Sequence, residues 1–312
     1  MTALEELLAT LIARVERLTE RLDAALPRPL AAPDWPRAVA WRYRKRGGAC
    51  RLEPVPSVGA IALGDLKEID AQKEKVARNT LQFLQGRPAN NVLLTGARGT
   101  GKSSLIRACL NEWAAQGLRL IEVDKADLPD LPDLPDIMAL VAGRPEKFII
   151  YCDDLSFDEG EPGYKALKSA LDGSVAAAAP NALIYATSNR RHLLPETMRD
   201  NLAARHGENG ELHPGEAIEE KVSLSERFGL WASFYPFSQD EYLRIAAQWL
   251  AALGASPAQI AAARPEALIW ALERGSRSGR VAQQFARDYM GRHASDQPPA
   301  AAAPAATQGG PA

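Results

Sequence analysis

Apolar residues recur along this chain in three rhythms, and each predicts a different kind of element. Over residues 4 to 25, Leu4, Leu8, Leu11, Val15, Leu18, Leu22 and Ala25 alternate at spacings of four and three. That is the seam of a coiled-coil-prone helix, which buries its stripe either on a helix of another copy or on its own globular body. From residue 61 the rhythm changes to short apolar runs separated by amphipathic stretches. DLKEIDAQKEKVARNTLQFLQG reads as helix, NVLLT as strand, SSLIRACLNEWAAQG as helix and LRLIEV as strand. FIIYCDDL as strand, YKALKSALDG as helix and ALIYATSN as strand follow. Strands alternating with helices predict a parallel sheet covered on both faces. Beyond Ser238 only the helical rhythm remains. SQDEYLRIAAQWLAAL opens with Ser238 and Glu241 in capping-box spacing, and PAQIAAARPEALIWALERG and SGRVAQQFARDYMGR complete a small all-helical unit.

These rhythms divide the chain into an amphipathic helix over residues 1–26, a connector over 27–60, an α/β domain over 61–237, a helical lid over 238–292 and a disordered tail over 293–312. In the connector, Pro27, Pro29, Pro33 and Pro36 forbid a continuous helix. From Arg37 to Arg51 there are six basic residues (Arg37, Arg42, Arg44, Lys45, Arg46, Arg51), no acid, and two interleaved aromatics, Trp41 and Tyr43. Such a stretch either stacks on bases and holds phosphates of a nucleic acid, or forms an edge hairpin turning at Gly47 and Gly48. Leu-Pro-Asp, repeated over 128–136, predicts a rigid loop ahead of a helix starting near Ile137.

Composition narrows the classes. With 46% hydrophobic and 24% charged residues the chain can bury a sizeable core, and a net charge of -2 leaves only local patches to attract nucleic acid or anionic membrane. Its three cysteines are too few for a disulfide framework and lack zinc-site spacing, which fits a reducing compartment. No long uncharged apolar stretch occurs, so we expect a cytoplasmic protein without a membrane partner.

The strongest chemical signal is GARGTGKS, comprising Gly96, Ala97, Arg98, Gly99, Thr100, Gly101, Lys102 and Ser103, with Ser104 next in line. It satisfies the phosphate-loop pattern G-x-x-x-x-G-K-S/T and lies between a strand and a helix, where backbone N–H groups and the positive helix end meet a polyphosphate. Lys102 is expected to reach the β and γ phosphates of ATP, and the Ser103 hydroxyl to ligate Mg2+. FIIYCDDL then ends on two carboxylates. Charges at the end of an apolar strand need a partner, and Asp153, fifty residues after Ser103, is the expected outer contact to magnesium. Asp154 either activates the water that attacks the γ phosphate or caps a turn. ALIYATSN ends in Thr187, Ser188 and Asn189, and the Asn189 amide either orients that water or belongs to a turn.

GARGTGKS, YCDD, ATSN, SLSERFGL and GSRSGRVAQQF, in this order, resemble the AAA+ ATPases over roughly residues 61 to 292. NNVLLTGARGTGKSSL, CDDLSF, YATSNRRHL and SLSERFGL together are similar to an uncharacterised bacterial family of AAA+ ATP-binding proteins. The resemblance implies a P-loop NTPase sheet followed by a helical lid, hydrolysis of ATP with Mg2+, and assembly into a homo-oligomer or with a protein partner. It further implies sensor-one character for Asn189, an arginine finger at Arg227 that enters a neighbouring subunit's site, and a sensor-two arginine at Arg280, with Arg274, Arg277 and Arg287 close by in sequence. Leu66 and Ile69 fall where such proteins hold adenine. Asp154 stands where most relatives carry the longer Glu, although paired aspartates also occur in the replication-initiator and transposition-helper branches. Two other readings remain: a DNA-associated ATP switch using residues 37–51, and a scaffold that retains nucleotide without turnover. No pore-loop aromatic is evident between the second and third core strands, which disfavours a polypeptide-threading unfoldase.

Overall fold

The structure, a computed structural model, describes residues 8, 10–19, 30–46, 49–124, 133–157, 167–168, 171, 179–190, 205–206, 212–213 and 225–293. Its strands are β1 (Ala40–Arg46), β2 (Ala49–Pro54), β3 (Val92–Gly96), β4 (Leu118–Asp124), β5 (Lys147–Asp153), β6 (Ala182–Ser188), β7 (Arg205–His206), β8 (Leu212–His213) and β9 (Leu230–Phe234). The uninterrupted apolar runs became the buried centre, since β3, β5 and β6 are covered along nearly their whole length. Seven strands form one sheet in the order β2-β1-β4-β5-β6-β3-β9, while β7 and β8 pair separately. Every pairing in the large sheet is parallel except that of β1 with β2.

The topology positions a site before any side chain is considered. The chain leaves β3, crosses to β4, and returns through β5 and β6 to the flank of β3 before β9 is added on the other side. The carboxyl ends of β5, β6 and β3 therefore lie side by side at a switch point, where α/β sheets leave a crevice.

The helices are α1 (residues 10–19), α2 (Asp70–Leu84), α3 (Lys102–Trp113), α4 (Asp133–Val141), α5 (Gln239–Ala252), α6 (Pro257–Glu273) and α7 (Gly279–Arg292). Phe148, Ile150 and Cys152 of β5 share a core cluster with Leu134, Ile137 and Val141 of α4. Alternation along a strand sends Ile149, Tyr151 and Asp153 to the opposite face, on which α3 packs. The helix α4 starts at Asp133, so the third Leu-Pro-Asp lies in its first turn instead of a preceding loop. Pro135 is tolerated there because first-turn N–H groups have no intrahelical acceptor. Most of YKALKSALDG lies outside the described residues, as do residues 128–132 of the first two Leu-Pro-Asp repeats.

Of the two alternatives for residues 37–51 the edge hairpin is the one that forms, and within the span 27–60 expected as a connector β1 and β2 belong to the sheet. Trp41 and Tyr43 are fully buried, and Trp35 packs edge-on against Trp41 and Phe148 at 4.8 and 5.0 Å. Neither ring is presented for base stacking. Arg42, Arg44 and Arg51 alternate onto the other face, where Arg42 pairs with Glu122 at 2.8 Å and Arg51 pairs with Glu53. Leu8 and, on α1, Leu11, Val15 and Leu18 are 55–60% exposed, while Leu4, Leu22 and Ala25 lie outside the described residues.

The chain divides into two compact units, Met1–Pro236 and Phe237–Ala312. In the second, Ser238 accepts from the Glu241 N–H at 3.3 Å while the Glu241 carboxylate accepts from the Ser238 N–H at 2.7 Å. Tyr242 of α5 donates to the Ala267 carbonyl of α6 at 3.1 Å, and Phe285 of α7 packs on Trp270. The residues after 293 lie outside the described ones, and no described helix is long and apolar enough to cross a membrane.

Trp41→Ala is expected to lower unfolding stability by about 3–5 kcal/mol in urea titration, the cost of removing a buried ring. A tryptophan whose role was to stack on bases would leave the urea midpoint unchanged.

Candidate functional site

Gly96 ends β3 against β9. Its φ is 120°, and a Cβ there would stand 1.8 Å from the Phe234 carbonyl oxygen. Only glycine lets the two backbones approach this closely, and the Phe234 carbonyl then accepts from the Ala97 N–H at 3.2 Å. The loop is tied internally by Thr100, whose hydroxyl donates to the Ala97 carbonyl at 2.8 Å. Arg98 is exposed near its tip. Gly101, with φ 100°, caps α3 in the left-handed region. A Cβ on it would meet Ile69 at 3.4 Å and Leu66 at 3.9 Å, so both of these buried residues wall the end of the loop.

Lys102 is only 6% exposed. Burying an ammonium requires acceptors, and Nζ donates to the carbonyls of Gly96 and Ala97, both at 2.7 Å, and to Asn189 Oδ1 at 3.1 Å. One turn into α3, Ser103 donates to Asp153 Oδ1 at 2.9 Å, while Ser104 is half-buried beside it. The end of β6 completes the arrangement. Thr187 donates to the same Asp153 oxygen at 2.6 Å and accepts from the Asp154 N–H at 2.9 Å. Asn189 donates through Nδ2 to Asp154 Oδ1. Five of the residues singled out from sequence, Lys102, Ser103, Asp153, Asp154 and Asn189, thus join one hydrogen-bonded set together with Thr187.

Burial alone would raise the Asp153 pKa, but the neighbouring hydroxyls of Thr187, Tyr151 and Ser103, in that order, outweigh it and hold the carboxyl below its ordinary range. The group is ionised at neutral pH. An anionic carboxylate and a hydroxyl are the hard oxygen donors that Mg2+ takes, and few protein ligands suffice when phosphates and waters complete the shell. Among the described residues no three His, Cys, Asp or Glu side chains converge into a metal cage, so the donor set fits Mg2+ shared with a polyphosphate. Asp154 has φ 50°, a left-handed conformation that aspartate tolerates better than most residues and that concentrates at functional sites. Burial pushes the thiols of Cys109 and Cys152 up to about 12.

The two arginines are not part of this set. Arg227 precedes β9 at its amino-terminal end, where Leu230 pairs with Val92, whereas the phosphate loop follows the opposite end, where Phe234 pairs with Gly96. Arg280 is exposed in the first turn of α7, in the second compact unit. Of its neighbours, Arg274 lies 3.3 Å over the Trp270 ring. Sequence reasoning gave no role to Thr187. Its signal was a hydroxyl inside an apolar strand, in a run whose register with β5 the sequence does not state.

A parallel sheet with a glycine loop between β3 and α3, a strand-end carboxylate facing that loop and a separate helical unit define the AAA+ ATPase fold. Among solved structures, a point mutant of Thermotoga maritima RuvB matches with TM-score 0.51 at 14% identity, over 77% of this chain and 69% of that one. The FIGL-1 AAA domain in complex with ADP matches with TM-score 0.49 at 16% identity, over 74% of each chain. No curated protein matches the sequence significantly. The chain belongs to the family described as "Protein of unknown function (DUF815)", which matches residues 36–293.

The Thr187 hydroxyl gives a test in pH. Because the folded pKa of Asp153 lies below its ordinary value, the stability it contributes is present above the unfolded carboxylate pKa and is lost as pH falls through the folded one. Thr187→Val is expected to lower stability at neutral pH by about 1–3 kcal/mol, the worth of a hydrogen bond to a charged group. The gap to wild type in urea midpoint then narrows as Asp153 is protonated. A gap that stays constant into acid would separate Thr187 from the Asp153 charge.

Proposed function

We propose that this protein binds ATP with Mg2+ at the loop Gly96–Ser104 and hydrolyses it, using the cycle to change contacts within a homo-oligomer or with a protein partner. The observation that carries the reading is the hydrogen-bonded set joining Lys102, Ser103, Asp153, Asp154 and Asn189 at adjacent strand ends.

In this reading the loop N–H groups and the start of α3 bind the β and γ phosphates, and Lys102 exchanges its two carbonyl acceptors for phosphate oxygens, which form stronger charge-assisted bonds. Ser103 and Asp153 hold Mg2+, whose charge would neutralise the phosphate oxygens. Asp154, held on its outer side by Asn189, orients the attacking water and accepts its proton. Leu66 and Ile69 supply an apolar wall for the base. Arg280 contacts nucleotide from the helical unit.

Arg227 completes the site of a neighbouring copy. Its place at the far end of β9 from its own loop supports that role. A guanidinium delivered to the transferring phosphoryl group is worth roughly 10³ to 10⁵ in rate. Two alternatives are kept apart from this reading: a DNA-associated switch and a nucleotide-held scaffold with negligible turnover. With Trp41 and Tyr43 inside the core, nucleic acid would meet residues 37–51 through phosphates alone, and its binding would fall steeply with salt.

ATPase rate per chain, measured across a hundredfold range of protein concentration with Lys102→Ala as blank, is expected to climb with concentration and to vanish in the blank together with ATP binding. Arg227→Ala should lower the rate by roughly 10³-fold or more while ATP binding is retained. A rate at the blank level at every concentration would favour the scaffold, and ATP binding unaffected by Lys102→Ala would overturn the site.

A further inference from the structure

Tyr151 is a buried polar residue that the proposed mechanism leaves unused. It lies on β5 two residues before Asp153, so both side chains leave the strand on the same face. On that face α3 presents Ser103 to Asp153. The residue is 3% exposed, and its hydroxyl lies among Asp153, Ser103 and Thr187. Among the described residues that hydroxyl nevertheless meets no partner in hydrogen-bonding geometry. Its neighbours are engaged with one another, since the hydrogen bonds from Ser103, Thr187 and the Asp154 N–H all fall on Asp153 Oδ1.

An unpaired phenol in the interior costs stability that a phenylalanine of the same shape would not. Such an orphan calls for an explanation, and an ordered water or an ion as its partner is a common one. Here the three surrounding groups narrow the choice, because they include both residues assigned to the metal. Mg2+ gives up its waters reluctantly and keeps several when bound by one carboxylate and phosphates. A water on a divalent cation is a strong donor, and the Tyr151 oxygen has lone pairs to accept from it while its O–H stays available to a carboxylate.

We propose that the Tyr151 hydroxyl is a further polar group of the magnesium site, a positioning residue that hydrogen-bonds the water shell of an ion held by Ser103 and Asp153. The inference rests on the ATP and Mg2+ reading given above. It assigns to β5 a second contribution beside the strand-end carboxylate, one that acts on the ion's waters and not on the nucleotide.

The test is equilibrium ATP binding to the full chain during a MgCl2 titration, repeated in EDTA, for wild type and Tyr151→Phe, with thermal unfolding of both nucleotide-free proteins. The Mg2+ midpoint of the variant is expected to rise roughly tenfold, as for other groups that support metal ligands. ATP affinity in EDTA should be unchanged, and the nucleotide-free variant should unfold at the same temperature as wild type or higher, its orphaned hydroxyl being gone. A Mg2+ midpoint equal to that of wild type overturns the proposal. So does a fall in ATP affinity that is equal with and without Mg2+ in a variant that unfolds earlier, which would mark Tyr151 as packing. Wild-type ATP binding that ignores Mg2+ would remove the metal reading itself and this proposal with it.

Discussion

One carboxylate sets the geometry of the whole sheet end. Asp153 finishes a strand whose preceding residues are buried on both faces, where an unpartnered charge would drive the strand apart or lose its ionisation. Its Oδ1 instead takes hydrogen bonds from Thr187 on β6 and Ser103 on α3. Strand, neighbouring strand and covering helix are thereby pinned to a common register at one atom. The consequences run outward: Thr187 in place means that Asn189, two residues further along, reaches Lys102 on one side and Asp154 on the other. A shift of β6 by one residue would turn Thr187 to the opposite face and undo all of these contacts at once.

The phosphate loop is governed by the complementary problem, a buried cation. Lys102 donates to two backbone carbonyls and one amide oxygen. An ionised phosphate oxygen in place of one of these neutral acceptors would strengthen that bond, because charge-assisted hydrogen bonds are the stronger ones. The same arrangement links the loop to the second aspartate. Asn189 spends its oxygen on Lys102 and its nitrogen on Asp154, so a lysine drawn toward a phosphate changes the constraint on Asp154. Coupling of this kind needs no moving domain, only an amide with two clients.

Much of this was legible in the sequence because it was local. The loop, its flanking strand and helix, the strand-end acids and the Ser238 cap are each written within about ten consecutive residues, where spacing and residue type carry the chemistry. What escaped was set by distant pairing. Residues 37–51 read either as a nucleic-acid surface or as an edge hairpin, and only the pairing of β1 with β4 places Trp41 and Tyr43 in the core. Strand β9 was missed because LWASF is short and lies at an edge, with its identity fixed by contact with β3. Thr187 went without a role for a related reason: a hydroxyl in an apolar strand becomes informative once its neighbour across the sheet is known. Asp154 is intermediate, since the pair of acids was visible but the left-handed backbone that separates their directions was not.

Sheet polarity bears most directly on how such a site is completed. In a parallel sheet, opposite ends of adjacent strands are separated by the strand length, here about 13 Å between the Leu230 and Phe234 levels at about 3.3 Å per residue. Arg227 enters before the first of these levels, and the phosphate loop leaves after the last. Drawing the arginine to its own loop would require β9 to leave β3. That movement would also remove the Phe234 carbonyl against which Gly96 packs and to which Ala97 donates, and the loop would lose its shape as it gained its arginine. The two requirements conflict within one chain and are compatible between two, because a neighbour can present the amino-terminal end of its β9 to this chain's loop while both sheets stay intact. For the neighbouring-copy role proposed for Arg227, strand geometry thus supplies a physical reason beside the resemblance that first suggested it.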